Sequence, residues 1–261
     1  MNKLKKIDLI REKLKSGQSS IGSWIQIPDA SIAEIMGDAG YDWIAVDLEH
    51  GSIDVSQLPN LFRALELGGT LPLARIAQGH SKDCKRALDA GAAGVIVPMI
   101  ESAEHLEEIR DACYWPPAGN RGVGFSRANG FGKYFTSYSI ESQSPILVAM
   151  IENYKALDSL EDILKVKGLD AIFIGPYDLS ASMGIVGQFD NIEFKDVMER
   201  ILQLSKKNKI PCGSHIVTPD PLMLNEQIKK GFQFIAYSID SVFLTTNVCN
   251  PKMVNPILNE R

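Results

Sequence analysis

Eight short apolar runs, each followed by an amphipathic segment, constrain this 261-residue chain more than any other feature. They are "SIGSWIQI" (20–27), "DWIAVDL" (42–48), "LPLARI" (71–76), "AGVIVPMI" (93–100), "PILVAMI" (145–151), "DAIFIGP" (170–176), "IPCGSHI" (210–216) and "FIAYSI" (234–239). Apolar residues follow one another in these runs instead of alternating, the pattern of parallel strands covered on both faces. The intervening segments carry helix start and stop signals. "ASIAEIMGDAG" ends on Gly40 and "SKDCKRALDAG" on Gly91, "SAEHLEEIRDAC" opens on Ser and an early acid, and "IEFKDVMERILQLSKKNK" finishes in a basic turn. Strands alternating with helices, with no linker or low-complexity tract, predict a single parallel α/β domain over 1–261. Eight units predict a closed (β/α)8 barrel, to which the length is well suited.

Composition narrows the partners. The chain is 45% hydrophobic and 23% charged, with a formal net charge of −5 and no Lys/Arg block beyond the "KLKK" start. Nucleic acid is therefore excluded as the expected partner. The opening "MNKLKKIDLIREKLKSG" reads as a helix of mixed charge without the apolar core of a signal peptide, and no stretch approaches a membrane span. Cys84, Cys113, Cys212 and Cys249 are scattered with no CxxC pair. Free thiols, a cytoplasmic location and no membrane partner are the expectation. One segment breaks the rhythm: "WPPAGNRGVGFSRANGFGKYFTSYSIESQS" (115–144), a long connection of the kind that compact barrels keep for function.

A parallel eight-stranded barrel gathers its chemistry at the carboxyl ends of its strands. Run two ends in Asp47, Glu49 and His50, run three in Arg75, run five in Glu152, and run six leads into Asp178. Glu152 and Asp178, from neighbouring strands, suit a hard divalent cation with oxygen ligands, magnesium or manganese in preference to cobalt or zinc. Each acid also fits a helix N-terminus. Arg75 closes an apolar strand and needs an anionic partner, either a substrate carboxylate or an internal one such as Asp47 or Glu49. His50 is a candidate general base, and Asp89, near the end of the helix after run three, is a candidate to orient it. No lysine falls in any of the eight runs, which disfavours Schiff-base chemistry and favours a metal-assisted enolate.

"DWIAVDLEHGSID", "LPLARI", "VPMIESAEH", "YWPPAGNRGVGFSRANGFG", "LVAMIEN" and "IFIGPYDLSASMG" occur in this order. Together they resemble the HpcH/HpaI family of class II pyruvate aldolases, from about Gly22 to Asp240. The resemblance implies a phosphoenolpyruvate/pyruvate-type TIM barrel with an exchanged C-terminal helix, assembled as a homo-hexamer, a trimer of dimers. It implies an enzyme that cleaves a 4-hydroxy-2-oxo acid to pyruvate and an aldehyde, or runs the reverse condensation. Glu152 and Asp178 would bind the metal, Arg75 the pyruvate carboxylate, and Gly175, Pro176 and Tyr177 would line the pyruvate site. His50 would carry the proton with Asp89 behind it, and Asp47 and Glu49 would support them. The chain departs from the family pattern at Leu48, Met150, Ser214, His215, Tyr237 and Ser238, which predicts a more polar or differently shaped acceptor pocket. Two rival readings are a citryl- or malyl-coenzyme A lyase and a non-catalytic barrel that binds a 2-oxo acid.

Overall fold

The computed structural model describes residues 2–249. Eight parallel strands close into a barrel in chain order. They are β1 (Ser20–Ile25), β2 (Trp43–Asp47), β3 (Leu71–Arg75), β4 (Gly94–Val97), β5 (Ile146–Ile151), β6 (Ala171–Ile174), β7 (Cys212–Ile216) and β8 (Phe234–Ile239). Each falls inside its sequence-predicted run, and β8 closes on β1 through the pairs Ser20 with Phe234 and Gly22 with Ala236. The α-helices are α1 (Lys3–Lys15), α2 (Ala30–Asp38), α3 (Leu58–Leu67), α4 (Ser81–Ala90), α5 (Ala103–Cys113), α6 (Phe135–Glu141), α7 (Ala156–Ile163), α8 (Pro176–Ser182), α9 (Ile192–Asn208), α10 (Pro221–Lys230) and α11 (Asp240–Asn247). No described helix is long and apolar enough to cross a membrane. Among the described residues Cys84, Cys113, Cys212 and Cys249 are free thiols. The expected exchange of a C-terminal helix bears on the end of the chain, and residues 250–261 lie outside the described residues.

Strand parity divides the apolar side chains into two cores. One lies between barrel and helices. The other fills the barrel itself, where Trp24, Trp43, Phe173 and Phe234 meet. Trp43 stacks on Phe234 with ring centroids 4.2 Å apart, and Trp24 meets Phe173 edge-on at 5.8 Å. Room for the Trp43 indole exists because β1 carries Gly22 beside it, where any Cβ would collide with the ring. Helix α1 seals the amino-terminal end of the barrel by adding Ile7, Ile10 and Leu14 to this inner core. The interior is thus a packed solid, and only its carboxyl-terminal mouth is free to turn polar.

The 115–144 connection does not cover that mouth. It holds a 3-10 turn (Arg127–Asn129) and α6. Arg127 fastens it to the opposite end, bonding the Ala90 carbonyl at 3.0 Å and Glu66 at 2.8 Å. Phe125, Phe131 and Ile140 remain exposed along it.

Candidate active site

The side chain that organises the mouth is Asp47, the last residue of β2 and fully buried. Its Oδ1 accepts Arg75 Nε–H at 2.8 Å and its Oδ2 accepts Arg75 Nη2–H at 2.6 Å, a bidentate pair between neighbouring strand ends. Gln26 Nε2, at the end of β1, donates to Oδ2 at 2.9 Å. The backbone N–H groups of Glu49 and His50 donate to Oδ1 at 3.1 and 3.2 Å, which folds the turn after β2 back over the pair. Burial alone would raise the Asp47 pKa, but Arg75, Gln26 and the turn together bring it below the ordinary carboxylate range.

Arg75 therefore does have the internal partner that the sequence left open. Its guanidinium lies 4.6 Å from the centre of the Trp24 ring, an orientation that aromatic stacking stabilises. Asp47 occupies the Nε–Nη2 edge, while Nη1 stands 3.3 Å from Glu49 Oε2. The Nη1–Nη2 end of the fork is the edge that a further anion can approach. His50 sits on the rim, half-exposed, with Nε2 4.0 Å from Glu49 Oε2.

Across the barrel, Glu152 follows β5 and is 2% exposed. Its Oε2 accepts the Met99 N–H at 3.0 Å. Met99 holds a left-handed backbone (φ 53°), which aims that amide at Glu152 just after Pro98 has ended β4. Gly175 buttresses the other side, since a Cβ there would collide with Glu152 Oε1. Asp178 lies exposed in the first turn of α8, behind Pro176 at the helix start. Tyr177 beside it is exposed and packs edge-on against Phe189 at 5.0 Å. Burial pushes the Glu152 pKa up to about 7, with the charges of Glu49 and Asp178 adding to the rise and the Met99 amide opposing it. Burial likewise pushes Glu49 up to about 7, where Arg75 opposes the rise and Asp47 and Asp178 reinforce it. Four acids face one arginine.

Asp89 does not join this site within the chain. Helix α4 starts near the mouth and runs back toward the amino-terminal end, so its last turn lies far from His50. There Asp89 pairs with Arg121 Nη1 at 3.3 Å, and burial raises its pKa. The departures from the family pattern also separate. Met150 packs into the inner core, and His215 packs against the inner-core ring of Trp24. Tyr237 faces the helix layer, against Phe243. Three contributors went unread in the sequence. Gln26 and Trp24 follow from strand parity, as polar and aromatic side chains on the inward face of β1. Nothing in the sequence signals the strained Met99 amide.

A cavity of about 590 Å³ lies elsewhere, at the amino-terminal end between α1, the 3-10 turn and α6. In its lining Lys3 and Arg127 both pair with Glu66.

Residues 20–246 match the family model described as HpcH/HpaI aldolase/citrate lyase. The chain is 34% identical over 241 residues to a hydroxypyruvate/pyruvate aldolase of Roseobacter denitrificans, covering 91% of this chain and 93% of that protein. It is 32% identical over 234 residues to a 2-keto-3-deoxy-L-rhamnonate aldolase of Escherichia coli, covering 89% and 87%. Among solved structures, an HpcH/HpaI aldolase/citrate lyase family protein from Burkholderia cenocepacia superposes with a TM-score of 0.85 at 28% identity, over 91% of this chain and 95% of that one. With a family model matched over most of its length and a barrel of the same architecture, the chain belongs to the HpcH/HpaI aldolase/citrate lyase family.

Proposed function

We propose that this protein is a divalent-metal-dependent aldolase that cleaves a 4-hydroxy-2-oxo acid to pyruvate and an aldehyde, or runs the reverse condensation. The observation that carries the reading is the charge pattern of the mouth. A fixed arginine stands opposite a buried glutamate that, among the described residues, forms no ion pair. The donor set fits a hard cation, being carboxylate oxygen with no thiolate or imidazole beside it. Among the described residues no three His, Cys, Asp or Glu side chains stand close enough to hold an ion by themselves. Glu152 and Asp178 would hold it, with substrate and solvent oxygens completing its shell. Magnesium or manganese is the cation this donor set favours. When bound, the cation supplies positive charge beside the oxygen on which the enolate charge develops.

The chain's own residues do the rest. Asp47 locks Arg75 so that the free end of its fork meets the substrate carboxylate, fixing the 2-oxo acid before reaction. Trp24 keeps the guanidinium plane from rotating. His50, held over the mouth by its backbone bond to Asp47, presents its ring at the exposed rim beside Glu49. In cleavage it takes the proton from the C4 hydroxyl, and in condensation it returns it. Gly175 to Tyr177 border the pocket beside Glu152. Exposed Phe125, Phe131 and Ile140 on the 115–144 connection support assembly of the chain into a homo-oligomer.

Exchange of pyruvate methyl protons with deuterium oxide, followed by NMR with magnesium or manganese, tests the reading without knowing the aldehyde. Exchange that depends on the cation and disappears in Glu152→Ala and Asp178→Ala is expected. Pyruvate binding with no exchange under any cation would overturn it in favour of a non-catalytic binder.

A further inference from the structure

His215 is a half-buried polar side chain with no part in the proposed mechanism. It lies on β7 with its ring 6.0 Å from that of Trp24, the same indole that carries Arg75. Ser214 and Ile216 on either side are buried, but His215 retains part of its surface. A side chain directed into a packed barrel can be exposed only toward the mouth, so this surface belongs to the floor of the pocket.

Its chemistry is defined by its neighbours. Nε2 makes a long contact of 3.4 Å to the Ser238 carbonyl, which also accepts Ser23 Oγ–H at 3.2 Å. Ser238 holds a left-handed backbone (φ 58°), next to the point where β8 slips register against β1. That local distortion swings the carbonyl toward β7. Burial pushes the His215 pKa down to about 4, and nearby Arg75 adds to the fall, so the ring is neutral at physiological pH. A carbonyl can only accept, so the proton of the neutral ring sits on Nε2 and Nδ1 keeps a lone pair. A neutral acceptor pairs with a hydroxyl donor and has nothing to offer a carboxylate or a methyl group.

Resting on the aldolase reading, we propose that His215 is a specificity residue that accepts a hydrogen bond from a substrate hydroxyl, selecting hydroxylated reactants over their deoxygenated counterparts. The hydroxyl can sit on C3 of the 2-oxo acid held by Arg75 or beside the carbonyl of the aldehyde. Both present the same donor to the same lone pair.

The test pairs pyruvate or hydroxypyruvate with acetaldehyde or glycolaldehyde and measures kcat/KM for the unmodified protein, His215→Leu and His215→Asn. His215→Leu should lower the preference for hydroxylated over plain reactants about tenfold, the scale of one neutral hydrogen bond. His215→Asn, which can present an acceptor oxygen, should recover part of it. A loss that follows hydroxypyruvate places the hydroxyl on the oxo acid, and one that follows glycolaldehyde places it on the aldehyde. Equal losses for all four pairs, or an unaltered preference, would overturn the proposal. Thermal unfolding of both variants separates misfolding from lost selectivity.

Quenching of tryptophan fluorescence by hydroxypyruvate and by pyruvate, with magnesium present, reads the same selectivity without turnover. If no pair is converted, the aldolase reading fails while this ratio still decides on His215. Tighter hydroxypyruvate binding that is lost in His215→Leu supports it, and an unaltered ratio contradicts it.

Discussion

The two sides of the barrel mouth are built on opposite principles. On the β1–β3 side, five N–H donors converge on Asp47, which fixes Arg75 by one edge of its fork and leaves the other end open. On the β5–β6 side one backbone amide reaches Glu152, and the like charges of Glu49 and Asp178 act on it more strongly than the opposing charge of Arg75. At the centre of the first side Asp47 is fully partnered by folding and has a lowered pKa, while Glu49 at its edge has a raised one. The second is left short of positive charge, and its acid has a raised one. Preorganisation is therefore confined to the groups that hold and orient. On the proposed reading, the electrostatic deficit is kept where the cation and the substrate would bind.

Breaking the finished side should cost most. Asp47→Ala strands a guanidinium in a buried site and frees the turn that carries Glu49 and His50. Urea unfolding is expected to show a loss of about 3–5 kcal/mol, the range for removing one partner of a buried pair. A loss under 1 kcal/mol would mean that the pair is not the anchor described here. The rim should behave oppositely. His50 has its side chain 58% exposed, so His50→Ala should alter stability by less than about 0.5 kcal/mol. Its effect belongs in turnover instead, where loss of a positioned acid–base group lowers kcat about 10²- to 10⁴-fold. Unchanged kcat with pyruvate-forming substrates would remove His50 from the proton path.

How much of this was legible beforehand follows the same division. All eight strands could be read because parallel strands buried on both faces are written as continuous apolar runs. β4 proved shorter than its run because Pro98 cannot donate to the ladder and Met99 adopts a left-handed backbone. Asp47, Arg75, Glu152 and Asp178 could be placed at one mouth from strand ends alone. Asp89 could not, because proximity in sequence misleads along a helix. The 10 residues of α4 carry it about 15 Å away from the strand end they follow. Tyr237 and His215 looked equivalent as departures near strand ends. Parity sends one to the helix layer and the other into the barrel. The role of the 115–144 connection was equally hidden, since its anchor to Glu66 and the Ala90 carbonyl is a tertiary contact between residues far apart in the chain.

On the proposed reading, the β5–β6 side is an incomplete electrostatic site that a divalent cation would complete. Because folding raises the Glu152 pKa from 4.5 to about 7, the folded chain holds a proton there that the unfolded chain has released. Stability without metal should therefore fall as pH rises through that window. A cation must displace the proton, so its affinity should rise over the same range. Calorimetric titration of manganese at pH 5.5 and pH 8 tests this most directly. Binding at least about tenfold tighter at pH 8, with proton release near neutrality and abolished in Glu152→Gln, is the predicted result. Equal affinity at both pH values, or undiminished binding in Glu152→Gln, would contradict the account.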